Sequence, residues 1–426
     1  MNRNTILGTL GVSLLLVLAG LVSQQEISSS NSTLPSAKVE ESVADRETTK
    51  TQVSQLANAN NRFGFNLFSQ IQTNEPAENI AISPNSIAIA LAMARRGTNG
   101  ETLAEMTTAL ELDSLDSSSI DANYLKLIET LQNADPNVKL AIANSLWVDQ
   151  DFTLKEEFIN DAKQFYLAEV SNLDFGDSQA VNIINQWVAK NTNDKIPQIV
   201  DSLSAEDVLY LINAIYFKGS WSNKFDPEAT TEAPFYSDPD SSQPHQMMNQ
   251  QGDYRYYEND RFQAVRIPYG KKQELGMYIF LPQETSDLQT FNQQLNLNNW
   301  QEWLSQMRSR PGNITIPRFE LEYESDLQDV LSALGIKSLF SASQADFSAM
   351  SDQKVAVDRI KHKTVIEVNE EGTEAAAVTS IGIRVTSVEP ENIPFKMNVN
   401  RPFFFAIRDD ITNSILFIGN LVEPSL

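Results

Sequence analysis

The sequence contains no cysteine and only two histidines, His245 and His362. Without thiols the chain forms no disulfide, thiolate nucleophile or zinc–thiolate site, and two histidines cannot supply a three-histidine metal site. Basic residues are also few, since 32 Lys and Arg face 56 Asp and Glu and leave a formal net charge of −24. Neutralising phosphates requires clustered basic residues. We therefore expect no nucleic-acid partner, no metal ion and no other cofactor.

The N-terminal residues resemble a targeting segment followed by a linker. Arg3 precedes an apolar run over residues 6–22 that holds no charged side chain, which is typical of a secretory signal. We predict that residues 1–23 are a signal peptide or an uncleaved membrane anchor, which makes the protein secreted or periplasmic, or membrane-anchored. Residues 24–55 have no aromatic side chain and contain 11 Ser and Thr. Residues 24–57 are therefore predicted to be a disordered polar linker.

The remaining residues, 58–426, are predicted to form one domain, because they contain no repeat and no further linker. The chain is 41% hydrophobic and 9% aromatic, which is enough for a large core. Helix-forming residues dominate its first half, as in residues 87–93, whereas β-rich runs such as 275–281 and 363–368 dominate the second. Helices grouped early and strands grouped late predict an α+β fold.

A short motif, Phe175-Gly-Asp-Ser178, resembles the first block of GDSL-type esterases, in which the serine is the nucleophile. Those enzymes have leucine after the serine, whereas Gln179 follows here. They also have a late Asp-x-x-His, but the segment from Asp358 to His362 is one residue too long. A turn after a strand is the favoured interpretation, and we do not expect the protein to be an enzyme.

A second serine, Ser83, is predicted to cap a helix that begins at Pro84. Proline suits the first helical position, because it has no N–H to leave unpaired and its fixed φ matches the helix. Capping explains Ser83 and Pro84 but gives no reason for Ser86, which follows two residues later.

The most informative stretch runs from Lys363 to Asn392. A strand is predicted to end at Val368, and a short acidic and glycine-containing break separates it from some twenty residues without an aromatic side chain. From Thr373 onward the chain alternates, and both charged residues, Glu374 and Arg384, fall in the same alternate set. This period of two indicates a strand with one buried face, yet the small polar composition also suits an exposed loop. The pattern predicts either an edge strand or a segment that changes between loop and strand.

Five ordered motifs together resemble the serpin family over essentially all of residues 58–426. The hinge from Glu370 to Ala377 has the glycine, the threonine and the small residues of inhibitory members. The other motifs are residues 79–110, Asn213-Ala-Ile-Tyr-Phe-Lys-Gly-Ser-Trp221, Leu334-Gly-Ile-Lys-Ser-Leu-Phe340, and Asn400-Arg-Pro-Phe-Phe-Phe405 with Ile415-Leu-Phe-Ile-Gly-Asn420.

The resemblance implies a serpin fold, with three β-sheets surrounded by helices, an exposed reactive loop at about residues 371–394 and a metastable native state. It implies a polar cluster, the shutter, beneath the central sheet where its strands part: Ser83, Ser86, Asn213 and His362. Trp221 would lie at the top of that sheet, in the breach where loop insertion begins. The implied loop hinge consists of Gly372, Thr373, Glu374, Ala375, Ala376 and Ala377.

The resemblance also implies suicide inhibition of a serine protease, which forms an acyl-enzyme on the loop and is carried away as the cleaved loop inserts into the central sheet. Spacing from Gly372 places the scissile bond at Thr386–Ser387, with Val385–Thr386 and Arg384–Val385 as alternatives. A small neutral residue such as Thr386 or Val385 favours an elastase-like or other small-pocket protease. Cleavage after Arg384 would favour a trypsin-like enzyme.

The partner implied by the resemblance is therefore a target serine protease, held as a covalent acyl complex by a monomeric inhibitor. No heparin-like cofactor is expected, because the net charge is −24 and no strong basic cluster follows a predicted helix. The alternative function is that of a non-inhibitory serpin acting as a binding or chaperone-like protein. Such members tend to lose the small hinge residues, which this chain keeps.

Overall fold

The computed structural model describes residues 43–238, 240–373 and 393–425, with side chains described from residue 51. Helices dominate the first part of the chain and strands the second, so the predicted α+β order is confirmed. The α-helices are α1 (Val43–Asn74), α2 (Pro84–Arg96), α3 (Gly100–Ala109), α4 (Ile120–Gln132), α5 (Glu156–Tyr166), α6 (Gln179–Asn191), α7 (Leu288–Asn292), α8 (Leu297–Gln306) and α9 (Gln328–Ala333).

The strands pair into a nine-stranded and a six-stranded sheet. The nine-stranded sheet contains β1 (Ile80–Ile82), β5 (Thr231–Asp238), β6 (Ser241–Glu258), β7 (Phe262–Tyr269), β8 (Leu275–Pro282), β9 (Arg308–Pro317), β13 (Phe395–Asn398), β14 (Phe403–Asp409) and β15 (Ile415–Leu421). The six-stranded sheet has the order β10 (Phe319–Asp326), β11 (Arg359–Asn369), β12 (Gly372–Thr373), β4 (Leu209–Ser220), β2 (Val138–Asp149), β3 (Glu169–Leu173).

The family resemblance implies three sheets, but in the described part of the chain the strands form two hydrogen-bonded sheets. The reason is the length of β6, which has 18 residues. Its first part pairs with β5 and β9, and its last residues, Arg255–Glu258, pair with β7. β6 is one continuous strand that pairs with β5 and β9 and also with β7. Two of the expected sheets are therefore joined along it.

The predicted disordered linker is wrong over residues 43–57, because these residues belong to α1. Val53, Leu56 and Ala57 are buried in this helix, with exposed fractions of 6%, 0% and 0%. Their burial is a tertiary effect that the polar composition of the segment conceals. Residues 1–42, including the predicted signal or anchor, lie outside the described residues.

Helix α2 begins as the sequence predicts. Ser83 is its N-cap, Pro84 is its first residue, and the Ser83 side chain accepts a hydrogen bond from the Ser86 N–H. Nearly all of α2 is buried, since it packs against β4, β2 and β15 in the main hydrophobic core. A smaller core lies on the other face of the six-stranded sheet, where Ile184 and Val188 of α6 pack on Tyr210 and Ile212 of β4.

None of the helices within the described residues is long and apolar enough to cross a membrane.

The esterase-like motif forms the turn between β3 and α6, in which the Gly176 N–H donates to the Asp174 carboxylate over 2.9 Å. The favoured interpretation of Phe175–Ser178 as a turn after a strand is therefore confirmed.

Candidate functional site at a strand seam

The site lies where β4 and β11 meet in the middle of the six-stranded sheet, a junction that we call the seam. From Arg359 to Val365, β11 pairs in parallel with Tyr210–Tyr216 of β4. Beyond that point the two strands part, and the two-residue strand β12 lies between them. Thr373 of β12 faces Val368 on one side and Gly219 on the other. The seam is thus closed along its lower part and already holds a third strand at its upper end.

Gly372, the first residue of β12, occupies a position that only glycine tolerates. Its φ is +147°, and a Cβ atom there would lie 2.0 Å from the Gly219 carbonyl oxygen and 2.7 Å from the Ser220 Cα. Backbone atoms cannot move aside as a flexible side chain does, so any larger residue would push β12 out of the seam. Gly372, the hinge glycine predicted from the sequence, is therefore packed directly against the backbone of β4.

Thr373 is fully buried at the top of the seam. Its hydroxyl is hydrogen bonded to the Tyr269 hydroxyl over 2.6 Å, and burial raises the pKa of Tyr269 well above its usual value. Trp221 stacks on the Tyr269 ring with centroids 4.4 Å apart. The Trp221 indole N–H donates to the Asn369 carbonyl over 2.9 Å, and its backbone N–H donates to the Glu371 carbonyl. Trp221, which was predicted to lie at the top of the sheet, therefore contacts the upper end of the seam. Its stacking partner Tyr269 was not predicted from the sequence.

Two ion pairs hold the residues just before β12, and neither was predicted from the sequence. The Glu370 carboxylate accepts hydrogen bonds from Arg318 over 2.5 Å and from the Thr230 hydroxyl over 2.6 Å. Burial alone would raise the pKa of Glu370, but these hydrogen bonds outweigh it and the pKa is lowered. Glu371 pairs with Lys224. Residues 370 and 371 are thus tied to β9–β10 on one side and to the segment after β4 on the other.

The structure brings together the four predicted shutter residues on the lower part of the seam. His362 and Asn213 face each other in the β11–β4 ladder, and His362 Nδ1 lies 2.7 Å from Asn213 Oδ1. The Asn213 amide donates to the Ser86 carbonyl over 3.1 Å and to the Ser86 hydroxyl over 2.5 Å. The Ser83 backbone N–H donates to His362 Nε2 over 3.2 Å. Ser86 therefore links α2 to β4.

Asn144 of β2 is a fifth member of this cluster and was not predicted. It lies directly opposite Asn213 in the β2–β4 ladder, and its Oδ1 accepts a hydrogen bond from the Asn213 amide over 2.6 Å. The only local signal is an amide side chain within the apolar run of β2. One network of side-chain hydrogen bonds thus connects β2, β4, β11 and α2 across the seam.

His362 is fully buried, and burial lowers its pKa to about 3. The ring is therefore neutral at ordinary pH, and its tautomer follows from its partners. Nε2 accepts from the Ser83 N–H, so the proton lies on Nδ1 and is donated to Asn213. Ser83 contacts the ring through its backbone, and its hydroxyl caps α2 instead. This arrangement lacks the nucleophile–base hydrogen bond of a serine hydrolase.

The pKa of His362 makes the closed seam sensitive to acid. The unfolded chain takes up this proton below pH 6.5, whereas the folded chain takes it up only near pH 3, so stability falls as pH drops between these values. We expect the free energy of unfolding to fall by about 2 kcal/mol between pH 6.5 and about pH 5. Urea unfolding midpoints at several pH values measure this fall. In His362→Gln the side-chain amide does not titrate, so the free energy of unfolding should depend less on pH in this range. An unchanged pH dependence would contradict the attribution of the loss to His362.

The second histidine, His245, lies apart from the seam on β6. It is buried against Phe235, and neither ring nitrogen has a hydrogen-bond partner among the described residues. The described part of the chain contains no group of three or more His, Asp or Glu side chains placed to bind a metal ion. The remaining predicted site residues lie outside the described residues: Glu374, Ala375, Ala376 and Ala377 of the hinge, and Arg384, Val385, Thr386 and Ser387 around the scissile bond.

A family model described as "Serpin (serine protease inhibitor)" matches residues 58–424. Human leukocyte elastase inhibitor is 35% identical over 385 residues, which cover 87% of this chain and 100% of that protein. Chicken neuroserpin is 38% identical over 374 residues, or 84% and 89% of the two chains. The crystal structure of the thermophilic serpin tengpin in its native state superposes with a TM-score of 0.79 at 30% identity, covering 87% of this chain and 94% of that one.

Proposed function

This chain belongs to the serpin family, and we propose that it is a suicide-substrate inhibitor of serine proteases, not an enzyme. The observation that carries the proposal is the position of β12. Gly372 and Thr373 already pair with both β4 and β11 at the top of the seam, while the lower part is closed by the parallel β11–β4 ladder and the His362–Asn213 hydrogen bond. A strand that continued β12 downward would replace that ladder with two antiparallel ones.

The register of β12 determines where each following residue would lie after insertion. Continuing the observed pairing along β4 sets residue 374 opposite Lys218 and residue 383 opposite Leu209. Residue 379 would lie between Asn213 and His362, because these two residues face each other across the seam. Insertion therefore requires the His362–Asn213 hydrogen bond to open, which gives the shutter its role in holding the seam closed.

The same register assigns a face to each inserted side chain. Odd-numbered residues would share the face of Thr373, which β4 lines with Ile215 and Phe217 of the main core. In the sequence these are Thr373, Ala375, Ala377, Thr379, Ile381 and Ile383, none of them charged. Glu374 and Arg384 would lie on the opposite face. An insertion that buries no charge in the main core avoids a large desolvation cost.

The energy of insertion is large enough to trap a protease. A strand of about a dozen residues adds ladder hydrogen bonds worth about 1 kcal/mol each, together with apolar burial. The sum, roughly 10 to 20 kcal/mol, rivals the stability of a whole domain. A native state without that strand must then be held by a kinetic barrier. At about 3.3 Å per residue, inserting residues 373–386 would carry the acylated end roughly 46 Å.

We propose Thr386–Ser387 as the scissile bond, with Val385–Thr386 and Arg384–Val385 as the alternatives. A small neutral residue suits an elastase-like or other small-pocket protease. The relative described as leukocyte elastase inhibitor supports this class. We further propose that the protein acts as a monomer without a heparin-like cofactor, and that residues 1–23 direct it to the periplasm or the outside of the cell or anchor it to a membrane.

The test is incubation of the full chain with pancreatic elastase, subtilisin and trypsin separately, followed by denaturing gels and intact-mass analysis. The test uses the full chain, because a protein that began at the predicted domain start, residue 58, would lack the first part of α1 (Val43–Asn74). We expect a denaturant-stable complex with one protease and release of the peptide 387–426. Release of 386–426 or 385–426 would select an alternative bond. Cleavage by all three proteases without any complex would contradict inhibition and favour a non-inhibitory binding serpin.

A further inference from the structure

The buried carboxylate of Asp135 joins two segments that are far apart in the sequence. Asp135 is 3% exposed and lies in the loop between α4 and β2 (residues 133–137). Its Oδ1 accepts a hydrogen bond from the Asn137 N–H over 2.8 Å, within that loop. Its Oδ2 accepts one from the Lys272 N–H over 2.8 Å, in the β7–β8 turn (residues 270–274). The carboxylate therefore holds the loop against the turn through charge-assisted hydrogen bonds, which are stronger than neutral ones.

Gly270, the first residue of the β7–β8 turn, packs directly against this carboxylate. Its φ is +69°, and a Cβ atom there would lie 2.4 Å from Asp135 Cγ, so the close approach requires glycine. The Gly270 N–H donates to the Ser220 carbonyl over 2.8 Å, and the Gly270 carbonyl accepts from the Ser222 hydroxyl over 2.7 Å. The turn is thus bonded to the chain at the end of β4 and is also held by Asp135.

Tyr269 immediately precedes Gly270 and lies at the top of the seam. It is fully buried, with the Phe217 ring at a centroid distance of 5.2 Å and the Trp221 ring stacked on it at 4.4 Å. Its hydroxyl is hydrogen bonded to the Thr373 hydroxyl over 2.6 Å. A hydrogen bond weakens steeply when its geometry departs from the optimum. Because Tyr269 and Gly270 are adjacent in the chain, a shift of the turn would displace the Tyr269 hydroxyl from Thr373.

We propose that Asp135 is a positioning residue for loop insertion. It holds the β7–β8 turn in place, and the turn holds the Tyr269 hydroxyl against Thr373. Gly372 and Thr373, the first two residues of the inserting strand, are then already ordered when a protease cleaves the loop, so the entropy of ordering them is not added to the insertion barrier. This inference rests on the proposed inhibitory function. Weakening the contact at Asp135 should therefore slow insertion relative to hydrolysis of the acyl-enzyme.

The first variant is Asp135→Ala, tested with the protease that forms a complex with the full chain in the assay above. The ratio of cleaved to complexed inhibitor on denaturing gels should rise about fivefold, the change in a rate ratio that corresponds to the loss of one hydrogen bond. Asp135→Asn keeps one of the two acceptor oxygens and the volume of the side chain, so its ratio should lie between those of the parent and Asp135→Ala. A parental ratio in both variants would overturn the proposal.

The matched control is Asp409→Ala, which removes another buried aspartate that closes a turn. Asp409 is the last residue of β14 and is 1% exposed, and its carboxylate accepts from the Thr412 N–H and the Thr412 hydroxyl, each over 2.7 Å. Urea unfolding midpoints should fall in both alanine variants, whereas the ratio of cleaved to complexed inhibitor should rise only in Asp135→Ala. A rise of the same size in Asp409→Ala would show that a general loss of stability causes the effect, and the proposal would be wrong.

A double-mutant cycle with Tyr269→Phe tests whether Asp135 acts through the Tyr269 hydroxyl. Tyr269→Phe removes only the hydroxyl that bonds Thr373, and it should raise the ratio of cleaved to complexed inhibitor about as much as Asp135→Ala does. Adding Asp135→Ala to Tyr269→Phe should then change the ratio little. Independent effects would instead multiply, and that result would contradict the positioning role. If the parent forms no complex with any protease, the proposed function fails instead.

Discussion

Thr373→Arg should convert the protein from an inhibitor into a substrate. Thr373 is fully buried beside Tyr269, and its neighbours across the seam are Val368 and Gly219. An arginine at this position would have to bury a guanidinium on the main-core face, which costs several kcal/mol when no partner is supplied. A rise of only about 1.4 kcal/mol in the insertion barrier shifts the competition between insertion and hydrolysis tenfold.

A cost of several kcal/mol, at about 1.4 kcal/mol per factor of ten, shifts this competition by about a hundredfold or more, so we expect about ten or more inhibitor molecules to be consumed per protease trapped. The measurement is titration of a fixed amount of protease, with the fractions of cleaved and complexed inhibitor read from denaturing gels. Thr373→Ser is the matched control, because it keeps the hydroxyl that bonds Tyr269, and it should inhibit nearly as the parent does. Trapping by Thr373→Arg at the parental stoichiometry would show that insertion of the following residues does not depend on how residue 373 packs between β4 and β11.

A hinge variant outside the described residues tests the same step in another way. Ala375→Pro removes a backbone N–H, so that an inserted strand would lose one ladder hydrogen bond at residue 375. We expect mostly cleaved inhibitor and little complex, as with Thr373→Arg, although no new charge is introduced. Efficient trapping by both variants would count against insertion, whereas trapping by the proline variant alone would place residue 375 outside the inserted strand.

The parts of the site that the sequence predicted are those governed by local rules or by family motifs. Ser83 follows from helix capping, whereas the alternation predicted after Thr373 lies outside the described residues and stays a prediction. The serpin resemblance over residues 58–426 implied His362 and Asn213 as shutter residues, and the structure brings these two side chains within 2.7 Å of each other. The capping signal lies in a short stretch of sequence, whereas the shutter follows from the resemblance of the whole domain.

The parts that the sequence did not predict depend on contacts between distant residues. Arg318 and Thr230 meet at Glu370, although they are 52 and 140 residues away from it along the chain. Asn144 joins the shutter only because β2 pairs with β4 in one particular register. The start of α1 was missed for the same reason, since Leu56 is buried by the rest of the domain and not by its neighbours in sequence.

Asn213→Ala should destabilise the closed seam by several kcal/mol, because the Asn213 side chain is the centre of the shutter. It accepts from His362 and donates to Ser86 and Asn144. Alanine would leave the His362 Nδ1–H and the oxygens of Ser86 and Asn144 without this partner, at sites that are 0% to 3% exposed. Each buried polar group left unpaired costs about 1 to 3 kcal/mol. The expected total for the three groups is therefore about 3 to 9 kcal/mol.

The loss should appear as a lower urea midpoint for the first unfolding transition, and as a faster decline of inhibitory activity on storage. The two readouts are linked, because His362 and Asn213 occupy the part of the seam that a third strand would have to open. Ser86→Ala is the graded control. It removes one hydroxyl and leaves Asn213 its bonds to Asn144 and to the Ser86 carbonyl, so it should cost about 1 kcal/mol. If Ser86→Ala were as damaging as Asn213→Ala, the seam would be held by the packing of α2 and not by the hydrogen bonds that cross it.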